Sequence, residues 1–125
     1  MKKISTNQAP AAIGPYSQAI VHNGIIYISG QIPVDPSTSC VVEGGIVEQT
    51  QQVIKNIAAI LKEGGADFDS VIKTSCFIKN MGDFAEFNGV YAKAFTSCPA
   101  RACVEVAKLP KDVLVEIEVI AAVKE

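Results

Sequence analysis

Arg101 is the only arginine in a chain with 11 basic residues. A guanidinium is planar, always charged, and presents its N–H groups as a fork that matches a planar carboxylate through two parallel hydrogen bonds. The residue follows Pro99 at the start of an apolar, β-prone run. Two readings compete for it: bidentate capture of a small carboxylate ligand, or a structural ion pair with Glu105, Glu116 or Glu118. Glu116 has the chemistry to hold a water and take its proton; its plain alternative is the salt-bridge partner of Arg101. Cys103 would act as a nucleophile only with a base beside it, and the single histidine, His22, falls in a predicted turn far away along the chain. The better reading of Cys103 is a small buried residue lending backbone groups to a pocket.

Three further residues stand out. Tyr16 follows the rigid Gly14-Pro15 turn, which either aims its hydroxyl at a site or seats a packed aromatic. Gly30, in Ser29-Gly30-Gln31, ends a strand at a place where the missing side chain lets a ligand approach the backbone. Asn88 interrupts the apolar stripe of a predicted helix, as a polar contact or as a surface residue without a role. No metal is expected: the 4 cysteines (Cys40, Cys76, Cys98, Cys103) contain no C-x-x-C spacing, and one histidine does not complete a zinc set. Gly44-Gly45 and Gly64-Gly65 match neither phosphate-loop pattern.

The elements that must position these residues follow from periodicity. Ser17 to Val21 and Ile25 to Ser29 are apolar, β-prone runs separated by His22-Asn23-Gly24, and Asn-Gly supplies the positive φ angles of a tight hairpin. Pro33 and Pro36 end that extended segment. From about Gly45 to Lys62, Ile46, Val53, Ile54, Ile57, Ile60 and Leu61 form a helical stripe that Gly64-Gly65 stops. Val71 to Lys79 reads as a strand. Asp83 is a predicted cap of a second helix carrying Phe84, Phe87, Tyr91, Ala94 and Phe95 on one face. Two last strands, about Ala102 to Leu109 and Val113 to Val123, are joined by a turn at Pro110-Lys111-Asp112. The order ββαβαββ predicts an α+β sandwich, an antiparallel-rich sheet with two helices on one face.

Alternation in the last strand puts Val113, Val115, Ile117, Val119, Ala121 and Val123 on one face, and Glu116 and Glu118 on the other. In the strand before it, Val104 and Val106 share a face opposite Arg101, Cys103 and Glu105. If the core takes both sets of valines, Arg101 and Cys103 come to the side of Glu116 and Glu118. Ile25-Ile26-Tyr27-Ile28 is apolar on both faces, as in a strand buried twice. Two helices cover one side only, so a second subunit is expected on the other, near Arg101 and Glu116.

The chain's 125 residues read as one domain, with no repeat or linker. Hydrophobic residues make up 49% and charged residues 19%, a folding composition. The net charge is -2 and the lysines are scattered, so the basic stripe of a nucleic-acid binder is missing. No apolar run approaches the roughly 20 residues of a membrane span, and Met1-Lys2-Lys3 leads into a polar stretch rather than a signal peptide. A soluble cytoplasmic protein with reduced thiols is the expectation; the absence of any acid before Asp35 keeps a mitochondrial transit peptide as the alternative, against which stands an opening without arginine.

Pro99-Ala100-Arg101-Ala102-Cys103-Val104-Glu105-Val106, followed by Val115-Glu116-Ile117-Glu118, resembles the signature of the Rid family, also called YjgF or reactive intermediate deaminase. So do Ala12-Ile13-Gly14-Pro15-Tyr16-Ser17-Gln18, Ser29-Gly30-Gln31-Ile32-Pro33 and Asp83-Phe84-Ala85-Glu86-Phe87-Asn88, and the likeness is greatest to the RidA branch. The resemblance implies a chorismate-mutase-like fold, a homotrimer with three clefts between subunits, and cofactor-free hydrolysis of 2-aminoacrylate and 2-iminobutyrate to 2-oxo acids and ammonia. It implies that Arg101 clamps the substrate carboxylate and Glu116 activates water. Cys103 and Gly30 would give backbone contacts, and Tyr16 and Asn88 would line the cleft. A sensor of 2-oxo acids and an RNA-directed role are the alternatives. The chain departs from the family pattern in the short Thr96-Ser97-Cys98 loop before Pro99 and in Ser37-Thr38-Ser39-Cys40.

Overall fold

The computed structural model describes residues 1–124; Glu125, the end of the expected domain, lies outside the described residues. A short strand β1 (Lys2–Ile4) pairs antiparallel with β2 (Ala19–His22), and β2 with β3 (Ile25–Gln31). The β2–β3 turn is the predicted hairpin: Asn23 and Gly24 take φ of 51° and 77°, the left-handed pair that such a turn requires. Beyond Gln31 the chain makes a two-stranded ribbon of β4 (Val34–Asp35) and β5 (Cys40–Val41). The Asn56 amide holds this ribbon by donating to the carbonyls of Ile32 at 3.2 Å and Val34 at 3.0 Å.

Helix α1 (Ile46–Glu63) starts where Glu48 accepts the Gly45 N–H at 2.8 Å, and stops where Gly64 donates to the Ile60 carbonyl at 3.0 Å and Gly65 turns to φ 80°. Its stripe of Ile46, Val53, Ile57, Ile60 and Leu61 is buried against the sheet, each side chain contributing about 1.5–3 kcal/mol. Strand β6 (Val71–Ile78), helix α2 (Phe84–Ala94) and strand β7 (Ala100–Glu105) then form a parallel crossover, and β8 (Val115–Ala122) closes the fold. Asp83 stands at the N-cap of α2 but makes no capping hydrogen bond through its side chain.

The six-stranded sheet runs β1-β2-β3-β8-β6-β7, antiparallel except for β6–β7. The architecture is the predicted α+β class, with β1 and the β4–β5 ribbon added. The last two strands are not neighbours: β8 inserts between β3 and β6, and β7 is an edge strand on the far side of β6.

That placement overturns one expectation. Val115, Ile117 and Val119 face the helices and are buried, as predicted. Across β6 they pair with Ile78, Cys76 and Thr74, which in turn pair with Glu105, Cys103 and Arg101 of β7. Arg101 and Cys103 therefore point to the helix side, while Val104 shares the outer face with Phe77 and Glu116. The assumption that every valine seeks its own chain's core failed at β7. The outer face of the sheet is left uncovered, with Val104 of β7 46% and Tyr27 of β3 47% exposed.

Candidate active site

Two incomplete half-sites lie on opposite faces of this sheet. On the helix side, Arg101 leaves β7 and lies along α2, where Phe84, Asn88 and Tyr91 recur at i, i+4 and i+7 and so share one face. Its guanidinium carbon sits 4.8 Å from the Tyr91 ring centre and 5.4 Å from that of Phe84, and Nη1 donates to the Asn88 Oδ1 at 2.7 Å. Among the described residues it pairs with no carboxylate, which sets aside the structural ion pair with Glu105, Glu116 or Glu118. Glu105 instead accepts the Met81 N–H at 2.7 Å. A cavity of about 440 Å³ opens beside Arg101, between Asn88, Tyr91, Phe95, Cys98 and Pro99.

Cys103 is half-buried against the core, opposite Cys76. Burial pushes both thiols up, Cys76 to about 12, with Arg101 pulling each only partly back. The single imidazole, His22, is exposed at the hairpin turn. With no base beside it and a thiol that holds its proton, Cys103 is not built as a nucleophile.

The second half-site is on the outer face. Between Ile28 and Gln31 the β3–β8 register slips, and the bulge carries Ser29 and Gly30. Into the space left by the missing side chain of Gly30 comes the carboxylate of Glu116: a Cβ there would collide with Oε2 and lie 2.9 Å from Cδ. Glu116 is half-buried, and burial, then the nearby charge of Glu118, raises its pKa. Ser29 is fixed by donating its hydroxyl to the Ser17 carbonyl at 2.6 Å. Tyr16 closes the space, its hydroxyl accepting the Ile13 N–H at 3.4 Å. Buried Gln18 anchors the segment leading there through the Thr6 and Pro10 carbonyls at 3.0 and 2.7 Å. The resulting cavity, about 490 Å³, is lined by Ile13, Tyr16, Ser29, Gly30, Ile32 and Glu116, among others.

The six predicted site residues thus fall into two groups: Arg101, Asn88 and Cys103 on one side, Glu116, Gly30 and Tyr16 on the other. Sequence reasoning gave no role to Phe84 and Tyr91 beyond the core, nor to the apolar wall of Ile13 and Ile32. The i, i+4, i+7 spacing about Asn88 was the available signal for the first pair.

An α+β sheet with two helices on one face defines a chorismate-mutase-like fold, with an oriented cation on one side of the sheet and a seated carboxylate on the other. A family model described as Endoribonuclease L-PSP matches residues 6–123. A Lactococcus lactis protein named as a candidate regulator, AldR, is 58% identical over 125 residues, 99% of each chain. A mouse protein named 2-iminobutanoate/2-iminopropanoate deaminase is 51% identical over 121 residues, 96% of this chain and 90% of its own. The crystal structure of YyfA from Yersinia pestis, described as of unknown function in the conserved Rid family, matches with a TM-score of 0.95 at 52% identity over 98% of both chains. The chain belongs to the YjgF/Rid family.

Proposed function

We propose that the protein hydrolyses small 2-imino acids and their enamine tautomers, such as 2-iminobutyrate and 2-aminoacrylate, to 2-oxo acids and ammonia. The observation that carries this reading is Arg101: a fork held in a fixed orientation, with no carboxylate among the described residues paired with it. Glu116, seated in the bulge with its pKa raised by burial, and the mouse relative's name support it. Because the two halves occupy opposite faces, a complete cleft takes Arg101 from one copy and Glu116 from another, in a homotrimer whose copies cover each other's exposed outer faces.

In that cleft Arg101 binds the substrate carboxylate in its plane, Asn88 holds the fork, and backbone groups at Cys103 and Gly30 complete the lining with Tyr16. Glu116 takes a proton from water as the oxygen bonds to the iminium carbon, giving a neutral carbinolamine. The proton passes from Glu116 to the amino nitrogen. The C–N bond then breaks, the carbonyl forms, and the hydroxyl proton leaves with ammonia as ammonium. The iminium carbon is already electrophilic, so the work is positioning and the reading includes no cofactor.

The test is loss of freshly generated 2-iminobutyrate with and without protein. Arg101→Lys keeps the charge and loses the fork, and kcat/KM is expected to fall by about 10- to 150-fold; unchanged turnover rejects the clamp. The name of AldR, a regulator, favours a non-catalytic sensor as the second reading, with a 2-oxo acid as its proposed ligand. It prevails if wild type shows no deamination while Glu116→Ala still binds 2-oxobutyrate. The family description keeps an RNA-directed role in the comparison, and absence of single-stranded RNA binding at low salt removes it.

A further inference from the structure

We infer that Tyr91 is a positioning residue for the substrate carboxylate: its ring, held by Thr74 and Phe95, sets the plane in which Arg101 presents its fork. The inference rests on the deaminase reading of Arg101 and adds to it the device that makes the clamp rigid. Arg101 is exposed, and an exposed arginine ordinarily samples many rotamers. Tyr91, by contrast, is buried and cannot turn. Its hydroxyl shares a hydrogen bond with the Thr74 hydroxyl at 2.7 Å, and its ring stacks on Phe95 with centres 4.3 Å apart and planes 19° apart. Thr74 is the β6 neighbour of Arg101 itself, so one register position supports both the arginine and the ring that holds it.

The way the guanidinium is held matters more than the fact that it is held. A carboxylate partner would fix Arg101 by occupying its in-plane N–H groups, the same groups a ligand needs. An aromatic ring attracts the cation through its face and leaves those donors available. Phe84 adds a second ring at 5.4 Å, and Asn88 takes one N–H at 2.7 Å, leaving most of the five guanidinium donors free. A leucine at position 91 fills similar space but has neither the quadrupole nor the hydroxyl.

The sole arginine makes the test direct, because its Nε–H gives a single cross-peak in a 1H–15N spectrum. In wild type and in Tyr91→Phe that peak is expected upfield of an ordinary exposed arginine, shifted by the ring current, and in Tyr91→Leu it moves to the ordinary position. With 2-iminobutyrate, Tyr91→Leu should raise KM about 3- to 30-fold with a smaller change in kcat, Tyr91→Phe should stay within about twofold, and Phe84→Leu should shift KM in the same direction by less. A wild-type peak at the ordinary position, or a folded Tyr91→Leu with unchanged KM, overturns the inference. If Tyr91→Leu does not fold, the wild-type peak and Phe84→Leu decide. If wild type hydrolyses no imine, the deaminase reading fails by itself. Titration of 2-oxobutyrate against the Nε–H peak then still tests the positioning, which stands only if Phe84→Leu or Tyr91→Leu binds more weakly than wild type.

Discussion

A carboxylate half-buried on the outer face of β8, with Glu118 two residues away, holds its proton to higher pH than an exposed one, because burial and then like charge disfavour the ion. The folded state therefore binds this proton more tightly than the unfolded chain, so stability falls as pH rises from the ordinary carboxylate range through the raised value. The cost is fully present above the raised value. Glu116→Gln removes the charge and keeps the shape. Thermal melting at neutral pH should show the variant more stable than wild type, with the difference shrinking as pH falls below the ordinary carboxylate range, while deamination is lost. A variant equally stable at both pH values shows that the carboxylate is not strained by its setting.

Elements decide how much of this was legible. The Asn23-Gly24 hairpin, the α1 stripe with its glycine stop, and the alternation of β8 were readable because each is a local pattern that local physics enforces. β1 and the β4–β5 ribbon were not: two or three residues carry no period, and they exist by pairing with β2 and by the grip of Asn56. The face of β7 was misread because alternation sorts side chains into two sets without saying which set meets the core. The answer came from its parallel pairing with β6, a contact between segments separated by a whole helix. The site residues were legible singly, through their types and the family resemblance, but not their division between faces. The β3 bulge is the element that aims one half. Gly30 needs no unusual φ, so Gly30→Ala should fold with little loss of stability, but its methyl takes the space of the Glu116 carboxylate. A misplacement of about 1 Å costs about 100-fold in rate, so kcat/KM should fall by about that factor. Retained activity would mean that the seat of Glu116 in the bulge is not its working position.

At the scale of the whole molecule, the opposition of the two faces constrains any assembly that completes the site. A two-fold contact pairs one patch with its own copy, so it brings Arg101 to Glu116 only where a single patch carries both, and their placement on opposite faces of the sheet works against that. A head-to-tail contact joins the helix-side margin of β7 on one copy to the outer face of the next, and closes into a ring when the rotation allows. The exposed Tyr27 and Val104, with half-buried Phe77 and Ile120, give the outer face the apolar surface for such a contact. This arrangement predicts complementation between two inactive chains. Arg101→Met lacks the clamp and Glu116→Gln lacks the base, so each alone should be inactive in the imine assay. When the two are refolded together in equal amounts, random assembly places an intact Arg101 against an intact Glu116 at about a quarter of the interfaces. Activity should recover to about that fraction of wild type, whereas a chain carrying both substitutions, refolded with either single variant, should recover none. If the mixture of single variants stays inactive although mass measurement shows mixed oligomers, the cleft is not shared between copies and the division of the site loses its explanation.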